Sequence, residues 1–118
     1  MNKIEKKVLD TFKSLLLKRL SIHKIVLFGS RARGDATQYS DMDVVVIVDK
    51  IADENVSNYI SDCAWEAGFE YGIVVVSVVF SRDEWENSPE RYSLLVQAVE
   101  MEGVSIIARV WIWKSFSL

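Results

Sequence analysis

The chain has few residues that interrupt or cross-link a fold, with one proline and one cysteine among 118 residues. A single cysteine, Cys63, excludes an internal disulfide and is interpreted as a small buried thiol in a reducing cytoplasm. Long apolar runs are also absent, because the valine-rich segments are too short to form a membrane-spanning helix. The Lys-rich, amphipathic N-terminal segment is unlike a signal peptide. We therefore expect a soluble, cytoplasmic protein.

The sequence also lacks a surplus of positive charge. Its formal net charge is −3, which argues against non-specific binding to nucleic acid and against a free-standing polymerase of long nucleic acids. Half of the residues are hydrophobic, so the chain is expected to be globular, and its length fits a single core. We expect one domain over residues 1–109 and an apolar tail over residues 110–118.

The apolar positions predict an α+β fold in the order α-β-β-α-β-α-β, with a mixed sheet of about four strands and helices mainly on one face. Two predicted strands are continuous apolar runs, which are typical of central strands covered on both faces. The predicted elements are a helix over 3–20, strands over 24–28 and 43–48, a helix over 53–70, a strand over 73–80, a helix from Ser88-Pro89 to Gly103, and a strand over 104–108. On the first helix, the predicted buried stripe is Ile4, Val8, Phe12, Leu15 and Leu16.

An acidic pair, Asp41 and Asp43, opens the second predicted strand. Since side chains alternate along a strand, both carboxylates project to one face, and Val45 and Ile47 continue that face into the core. Two neighbouring carboxylates repel each other, and a divalent cation would remove that penalty. Magnesium suits such a pair, because it binds one or two carboxylates together with phosphate oxygens and water. The alternative is that both acids lie in a solvated turn.

A glycine-containing loop over residues 29–40, with a single helical turn as an option, follows the first predicted strand. Gly29 permits a positive φ and a close approach of phosphate, while Ser30 adds a hydroxyl beside backbone amides that can bind an anion. Arg31 and Arg33 are candidates to clamp a triphosphate, although arginines in loops are often only solvated. This loop and the acidic pair together predict a site for a metal-bound phosphate compound.

Gly29-Ser30, ten intervening residues and Asp41-x-Asp43, each half attached to a hydrophobic strand, resemble the signature of the nucleotidyltransferase superfamily related to DNA polymerase β. The resemblance extends to its smallest bacterial and archaeal members, the MNT-type proteins, which are often encoded beside a HEPN partner. It implies the nucleotidyltransferase fold and transfer of a nucleoside monophosphate, here AMP from ATP, to a hydroxyl acceptor. Some relatives adenylylate a tyrosine of their HEPN toxin and act as antitoxins.

The resemblance also implies the role of each matching residue. Gly29 and Ser30 would bind the β- and γ-phosphates, and Asp41 and Asp43 would bind Mg²⁺, in keeping with two-metal, in-line displacement.

The sequence departs from the family pattern at a third carboxylate, which active relatives carry on the next core strand. The strand predicted over 73–80 contains no acidic residue, and Ser77 is interpreted as a buried, satisfied hydroxyl. Glu70 precedes this strand and is a candidate for the third acid that would reach the site only if the following segment bends. The alternative function is therefore a weakly active or inactive nucleotidyltransferase-like subunit that binds and neutralises a partner protein.

Other features have less specific interpretations. Trp65 and Trp85 are interpreted as packing residues. The tail over 110–118 is expected either to pack on the sheet edge or to form a surface for a partner or a homo-oligomer. An Asp-x-Asp glycosyltransferase is disfavoured, because the Gly29-Ser30 turn would have no function. The base preference, the acceptor and the oligomeric state are not specified by the sequence.

Overall fold

The computed structural model describes residues 1–87 and 94–108. The fold is α+β, as predicted, and two short helices, α2 and α4, are added to the expected order. The predicted helix start at Ser88-Pro89 and the tail over 110–118 lie outside the described residues. The elements are α1 (Lys3–Leu17), β1 (Ile22–Phe28), α2 (Ser30–Arg33), β2 (Met42–Val48), α3 (Glu54–Phe69), β3 (Val75–Ser81), α4 (Arg82–Asn87), α5 (Leu94–Glu102) and β4 (Val104–Ala108).

The four strands form a mixed sheet in the order β3-β2-β1-β4. Strand β1 pairs antiparallel with both β2 and β4, whereas β2 and β3 are parallel. The predictions that β2 is central and that β4 lies at an edge are confirmed. The prediction of a central β3 is wrong within the described sheet, where β3 is the other edge. A continuous apolar run indicates that both faces of a strand are covered, but it does not report the lateral position of that strand.

The two faces of the sheet bury separate clusters. Helices α1 and α3 cover one face, where Met42, Val44 and Val46 of β2 are fully buried. On the other face, Val45 and Ile47 of β2 pack against side chains of α4 and α5, namely Trp85, Val96 and Val99. The long helices therefore lie on one face, as predicted, and the acidic pair belongs to the face that carries the shorter helices.

Helix α1 begins with a capping box, in which Asn2 Oδ1 accepts the Glu5 amide and Glu5 Oε1 accepts the Asn2 amide, each at 2.8 Å. Its buried face contains Leu9 and Glu5 in addition to most of the predicted stripe. The prediction that Ile4 is part of the stripe is wrong, because this side chain is 48% exposed. The buried Glu5 is explained by its partner, which is described with the site below.

The two tryptophans differ in environment. Trp85 of α4 is buried against Phe80, so its predicted packing role is confirmed. Trp65 of α3 is 67% exposed, and its interpretation as a packing residue is wrong. The sheet-facing side of α3 is formed by small side chains such as Ala64 and Ala67, and Trp65 projects away from it. Along the described ranges, no helix is long and apolar enough to cross a membrane.

Candidate functional site

The turn after β1 and the acidic pair at the start of β2 meet at one end of the sheet. Phe28, the last residue of β1, pairs with Asp43 across the two strands. Gly29 follows with a φ of +75°, and a Cβ atom built on it would lie 2.5 Å from Asp43 Oδ2. The backbone of the turn therefore lies directly against the carboxylate, and the residues at the two ends of the predicted motif share one site.

Helix α2 is a single turn bounded by two glycines, which agrees with the helical turn suggested for the loop. Gly29 is its N-cap, with its carbonyl accepting the amides of Ala32 and Arg33 at 3.1 Å. Gly34 ends the turn in the left-handed conformation at a φ of +83°. The first amides of a helix have no partner within the helix, so the Ser30 end of the turn can offer N–H groups beside Asp43.

The two carboxylates of the acidic pair repel each other. Asp41 is exposed and Asp43 is half-buried. Burial raises the pKa of the Asp43 carboxyl, the charge of Asp41 raises it further, and Arg33 opposes both effects. A divalent cation between the two carboxylates would remove the repulsion between their charges and would lower the pKa of Asp43.

The donor set fits a hard cation that shares its ligands with a substrate. Asp41 and Asp43 present only carboxylate oxygens, which Mg²⁺ prefers. Across the part of the chain that the structure describes, no cluster of three or more His, Cys, Asp or Glu residues could hold a metal ion. The pair can therefore supply only part of an octahedral ligand shell, and phosphate oxygens and water would have to supply the rest.

Arg31 has partners within the protein. Its guanidinium is buried, and Nη1 donates to Glu5 Oε2 at 2.9 Å. Nε and Nη2 donate to the Ser40 carbonyl at 3.0 and 2.7 Å. Burial alone would raise the pKa of Glu5, but the hydrogen bonds from Asn2 and Arg31 outweigh it and lower that pKa. These contacts link α1 to Ser40, the residue that precedes Asp41. The sequence predicted that Arg31 clamps phosphate and did not predict this structural role.

Arg33 is placed differently. Its side chain is 46% exposed. Arg33 Nε lies 3.3 Å from Asp35 Oδ2, and Arg33 Nη1 lies 3.4 Å from Glu102 Oε2 of α5. The hydrogen bond and charge of Asp35, together with those of Glu102, raise the pKa of Arg33. Because its charge also acts on Asp43, Arg33 is an exposed cation at the rim of the site.

The register of β3 identifies the position where a third carboxylate would face the site. Asp43 pairs with Val76, whereas Ser77 pairs with Val44 on the opposite face of the sheet. Val76 is 39% exposed and non-polar. Glu70 is the C-cap of α3, the helix that covers the opposite face. The structure therefore brings neither Ser77 nor Glu70 to the face that carries Asp43.

The sequence did not predict that Glu5 supports the site by binding Arg31. The available signal was the spacing of Asn2 and Glu5, which is typical of a capping box at a helix start. That signal locates the helix end, but it does not reveal that the second carboxylate oxygen of Glu5 binds Arg31, because the two residues are brought together only by the fold.

Known proteins resemble this chain in both sequence and fold. The sequence profile of a family described as a nucleotidyltransferase domain matches residues 5–102. A Methanocaldococcus jannaschii protein that is named as a protein adenylyltransferase is 39% identical over 62 residues, which are 52% of this chain and 57% of that protein. The chain thus spans little more than half the length of this curated relative.

Solved structures show the same fold. A toxin–antitoxin structure with AMP-PNP is matched at a TM-score of 0.61 and 20% identity, over 88% of this chain and 73% of that one. A tri-AMPylated Shewanella oneidensis HEPN toxin in complex with MNT antitoxin is matched at a TM-score of 0.57 and 17% identity, over 96% of this chain and 79% of that one. At such identities the likeness establishes the fold alone.

Proposed function

Since the chain belongs to the nucleotidyltransferase domain family, we propose that it transfers AMP from ATP to a hydroxyl acceptor, with release of pyrophosphate and of the hydroxyl proton, in a Mg²⁺-dependent reaction. The observation that supports this proposal best is the contact between the turn and the acidic pair. A Cβ atom at Gly29 would lie 2.5 Å from Asp43 Oδ2. Phosphates bound at the turn would therefore lie beside the carboxylates that bind the metal.

Each residue has a part in this reaction. The backbone around Gly29 and Ser30 binds the β- and γ-phosphates, and the exposed Arg33 adds a positive charge at the rim. Asp41 and Asp43 would hold Mg²⁺, which would supply charge neutralisation for the bound phosphates. Asp43 is the half-buried member of the pair and lies against the turn, whereas Asp41 is exposed to solvent.

Arg31 acts as a positioning residue in this proposal. Its contacts with Glu5 and with the Ser40 carbonyl fix the residue immediately before Asp41. The guanidinium therefore orients the acidic pair through the backbone instead of binding phosphate. Glu70 has no part in the reaction, because its helix covers the other face of the sheet.

The proposed acceptor is a tyrosine hydroxyl of a HEPN-type toxin, which would make this chain an antitoxin. Two findings on other proteins support this choice. One relative is named as a protein adenylyltransferase, and one protein of the same fold is an MNT antitoxin bound to a tri-AMPylated HEPN toxin. A protein acceptor also agrees with the acidic net charge of −3, which does not favour a nucleic-acid acceptor.

The test is incubation with labelled ATP, Mg²⁺ and the HEPN-type protein encoded nearest to this chain. We expect label on the acceptor with the wild type, and loss of transfer by at least about a hundredfold with Asp41→Asn or Asp43→Asn. Asp10→Asn is the matched control, since Asp10 is an exposed acid of α1 outside the pair. Transfer that is equal in all three variants would refute the proposal.

A second candidate function is supported by Val76. This non-polar residue occupies the position beside Asp43 where a third carboxylate would face the metal, so the chain can bind nucleotide and yet turn over slowly. In that case it acts mainly as the subunit that binds and inhibits its partner.

Toxin neutralisation distinguishes the two functions. If binding alone inhibits the partner, Asp41→Asn should neutralise the toxin as well as the wild type does and should co-purify with it. If AMP transfer is required, the same variant should form the complex but leave the toxin active.

A further inference from the structure

The segment from the turn to the acidic pair has one exposed cation. Residues 29–43, all of which the structure describes, contain two arginines and no lysine or histidine. Arg31 is buried, and its guanidinium binds Glu5 and the Ser40 carbonyl. Arg33 is exposed, so it is the cation of this segment that the phosphates of a nucleotide can reach.

Two carboxylates contact the Arg33 guanidinium in different ways. Asp35 lies two residues along the same loop and accepts from Nε at 3.3 Å. Glu102 lies on α5 and accepts from Nη1 at 3.4 Å. The terminal nitrogens of an arginine are the donors that extend furthest from its backbone, and they bind phosphate well. Glu102 and a phosphate bound at the turn would therefore compete for Nη1.

The fold fixes Glu102 at this end of the sheet. Glu102 is the last residue of α5, and Gly103 connects it to β4. The first residue of β4, Val104, pairs with Leu27 of β1, two residues before Gly29. A Cβ atom at Gly103 would lie 2.4 Å from a side chain of β1 and 2.4 Å from a carbonyl oxygen of α5. The connection is therefore packed closely against β1, and Glu102 lies beside the turn.

Glu102 belongs to the helix that covers the face of the acidic pair, but its position does not make it a third metal ligand. Within residues 1–87 and 94–108, no group of three His, Cys, Asp or Glu residues could hold a metal ion. The Glu102 carboxylate contacts Arg33 instead. Its negative charge is therefore added to those of Asp41 and Asp43 near the place where phosphates would bind.

These charges act most strongly on a nucleotide that carries no metal. Its phosphates would have to displace Glu102 from Arg33 while all three carboxylates repel them. A divalent cation lowers the negative charge of the nucleotide and neutralises the acidic pair, so the repulsion is smaller for the metal-bound form. An exposed ion pair changes an equilibrium constant by up to about fivefold, which is small enough for bound phosphates to displace Glu102.

We propose that Glu102 makes the nucleotide site selective for metal-bound nucleotide by competing with phosphate for Arg33. This inference rests on the proposed nucleotide site and adds to it a residue of α5. When metal-bound phosphates reach the turn, Nη1 of Arg33 exchanges the Glu102 carboxylate for a phosphate oxygen. A nucleotide without metal makes this exchange less often, because Glu102 and the acidic pair repel it.

The test is calorimetric titration of the wild type and Glu102→Gln with AMP-PNP, once with Mg²⁺ and once with EDTA. With Mg²⁺, the variant should bind AMP-PNP about two- to fivefold more tightly than the wild type. With EDTA the gain should be larger, so the preference for the metal-bound form shrinks. Both gains should decrease as the salt concentration rises, because the groups involved are exposed.

Two further variants serve as controls. Glu100→Gln removes the same charge from α5, but Glu100 lines a different hollow, together with His23 and Lys24, so its affinity for AMP-PNP should equal that of the wild type. In an Arg33→Met background, Glu102→Gln should lose most of its effect, because the two residues then no longer interact. None of these exposed substitutions should change the Tm appreciably.

Equal affinities of the wild type and Glu102→Gln, or a gain that persists in full without Arg33, would overturn the role of Glu102. Weaker Mg²⁺-dependent binding by Glu102→Gln would also overturn it and would make Glu102 a ligand of the metal. If neither protein binds AMP-PNP with Mg²⁺, the proposed nucleotide site itself is refuted. Normal binding without a difference between the two proteins refutes only the inference about Glu102.

Discussion

At the scale of single residues, Gly29 is held at a φ of +75° and a ψ of −157°, a region of backbone space that is open essentially to glycine. An alanine there would be strained, and its Cβ would displace the Asp43 carboxylate. We expect Gly29→Ala to lower the free energy of unfolding by about 1–3 kcal/mol. It should also greatly weaken Mg²⁺-dependent nucleotide binding, as measured by calorimetry.

Gly34→Ala separates these two effects. Gly34 also has a positive φ, at +83°, but no atom lies within 4 Å of the position of an added Cβ. This variant should lose about 1–2 kcal/mol of stability and retain its affinity for nucleotide. Equal nucleotide affinities for the two alanine variants would show that contact with Asp43 is not what makes Gly29 important.

The two arginines of α2 should respond differently to substitution. Arg31→Met leaves the buried Glu5 carboxylate without its positively charged partner, so we expect a loss of about 3–5 kcal/mol in urea denaturation. Arg33→Met removes only exposed ion pairs, so its stability should change little while its nucleotide affinity falls about tenfold. A similar loss of stability in both variants would contradict the buried role assigned to Arg31.

The lowered pKa of Glu5 makes the same pair sensitive to pH. Since the folded state binds the proton more weakly than the unfolded state, the stabilisation is complete above the ordinary glutamate pKa and is lost as the pH falls through the lowered value. The stability difference between the wild type and Glu5→Gln should therefore be largest near neutral pH and shrink below about pH 4. Denaturation at several pH values measures it, and a constant difference would contradict this assignment.

At the scale of elements, the register between β2 and β3 determines which residue faces the acidic pair. Val76 lies beside Asp43, and Ser77 faces the other side of the sheet. We expect Val76→Asp to be destabilised without metal by like-charge repulsion. Mg²⁺ should restore its stability, and its rate of AMP transfer should exceed that of the wild type.

Ser77→Asp is the control for this prediction, because it adds the same charge one residue along the strand. It should be destabilised with or without Mg²⁺, since its carboxylate would face α3 and not the acidic pair. The measurement is the Tm as a function of Mg²⁺ concentration. Equal responses of the two variants would show that position 76 does not face a metal site.

Several properties of the elements could be predicted from the sequence. Alternation along β2 correctly assigns Asp43, Val45 and Ile47 to one face, because the side-chain period of a strand is independent of its neighbours. The edge position of β3 could not be predicted, since it depends on which strands pair. The exposure of Trp65 was also missed, because helical periodicity alone does not reveal where a helix overhangs the edge of a sheet.

At the scale of the whole molecule, the fold class and the convergence of Gly29 with the acidic pair follow from sequence patterns, since β1 and β2 are consecutive hydrophobic strands that carry the two halves of one motif. The contact between Glu5 and Arg31 does not, because it joins residues 26 positions apart. The net charge of −3 is a sum over the whole chain. It does not show that the segment over 51–81 contains acids and no lysine or arginine.

Calorimetric titration with a non-hydrolysable ATP analogue tests whether the turn and the acidic pair form one nucleotide site. With Mg²⁺ present, the wild type should bind the analogue, and chelation of the metal or the variant Asp43→Asn should weaken binding at least about tenfold. Binding of equal strength with and without Mg²⁺, or no binding by the wild type at all, would contradict the assignment.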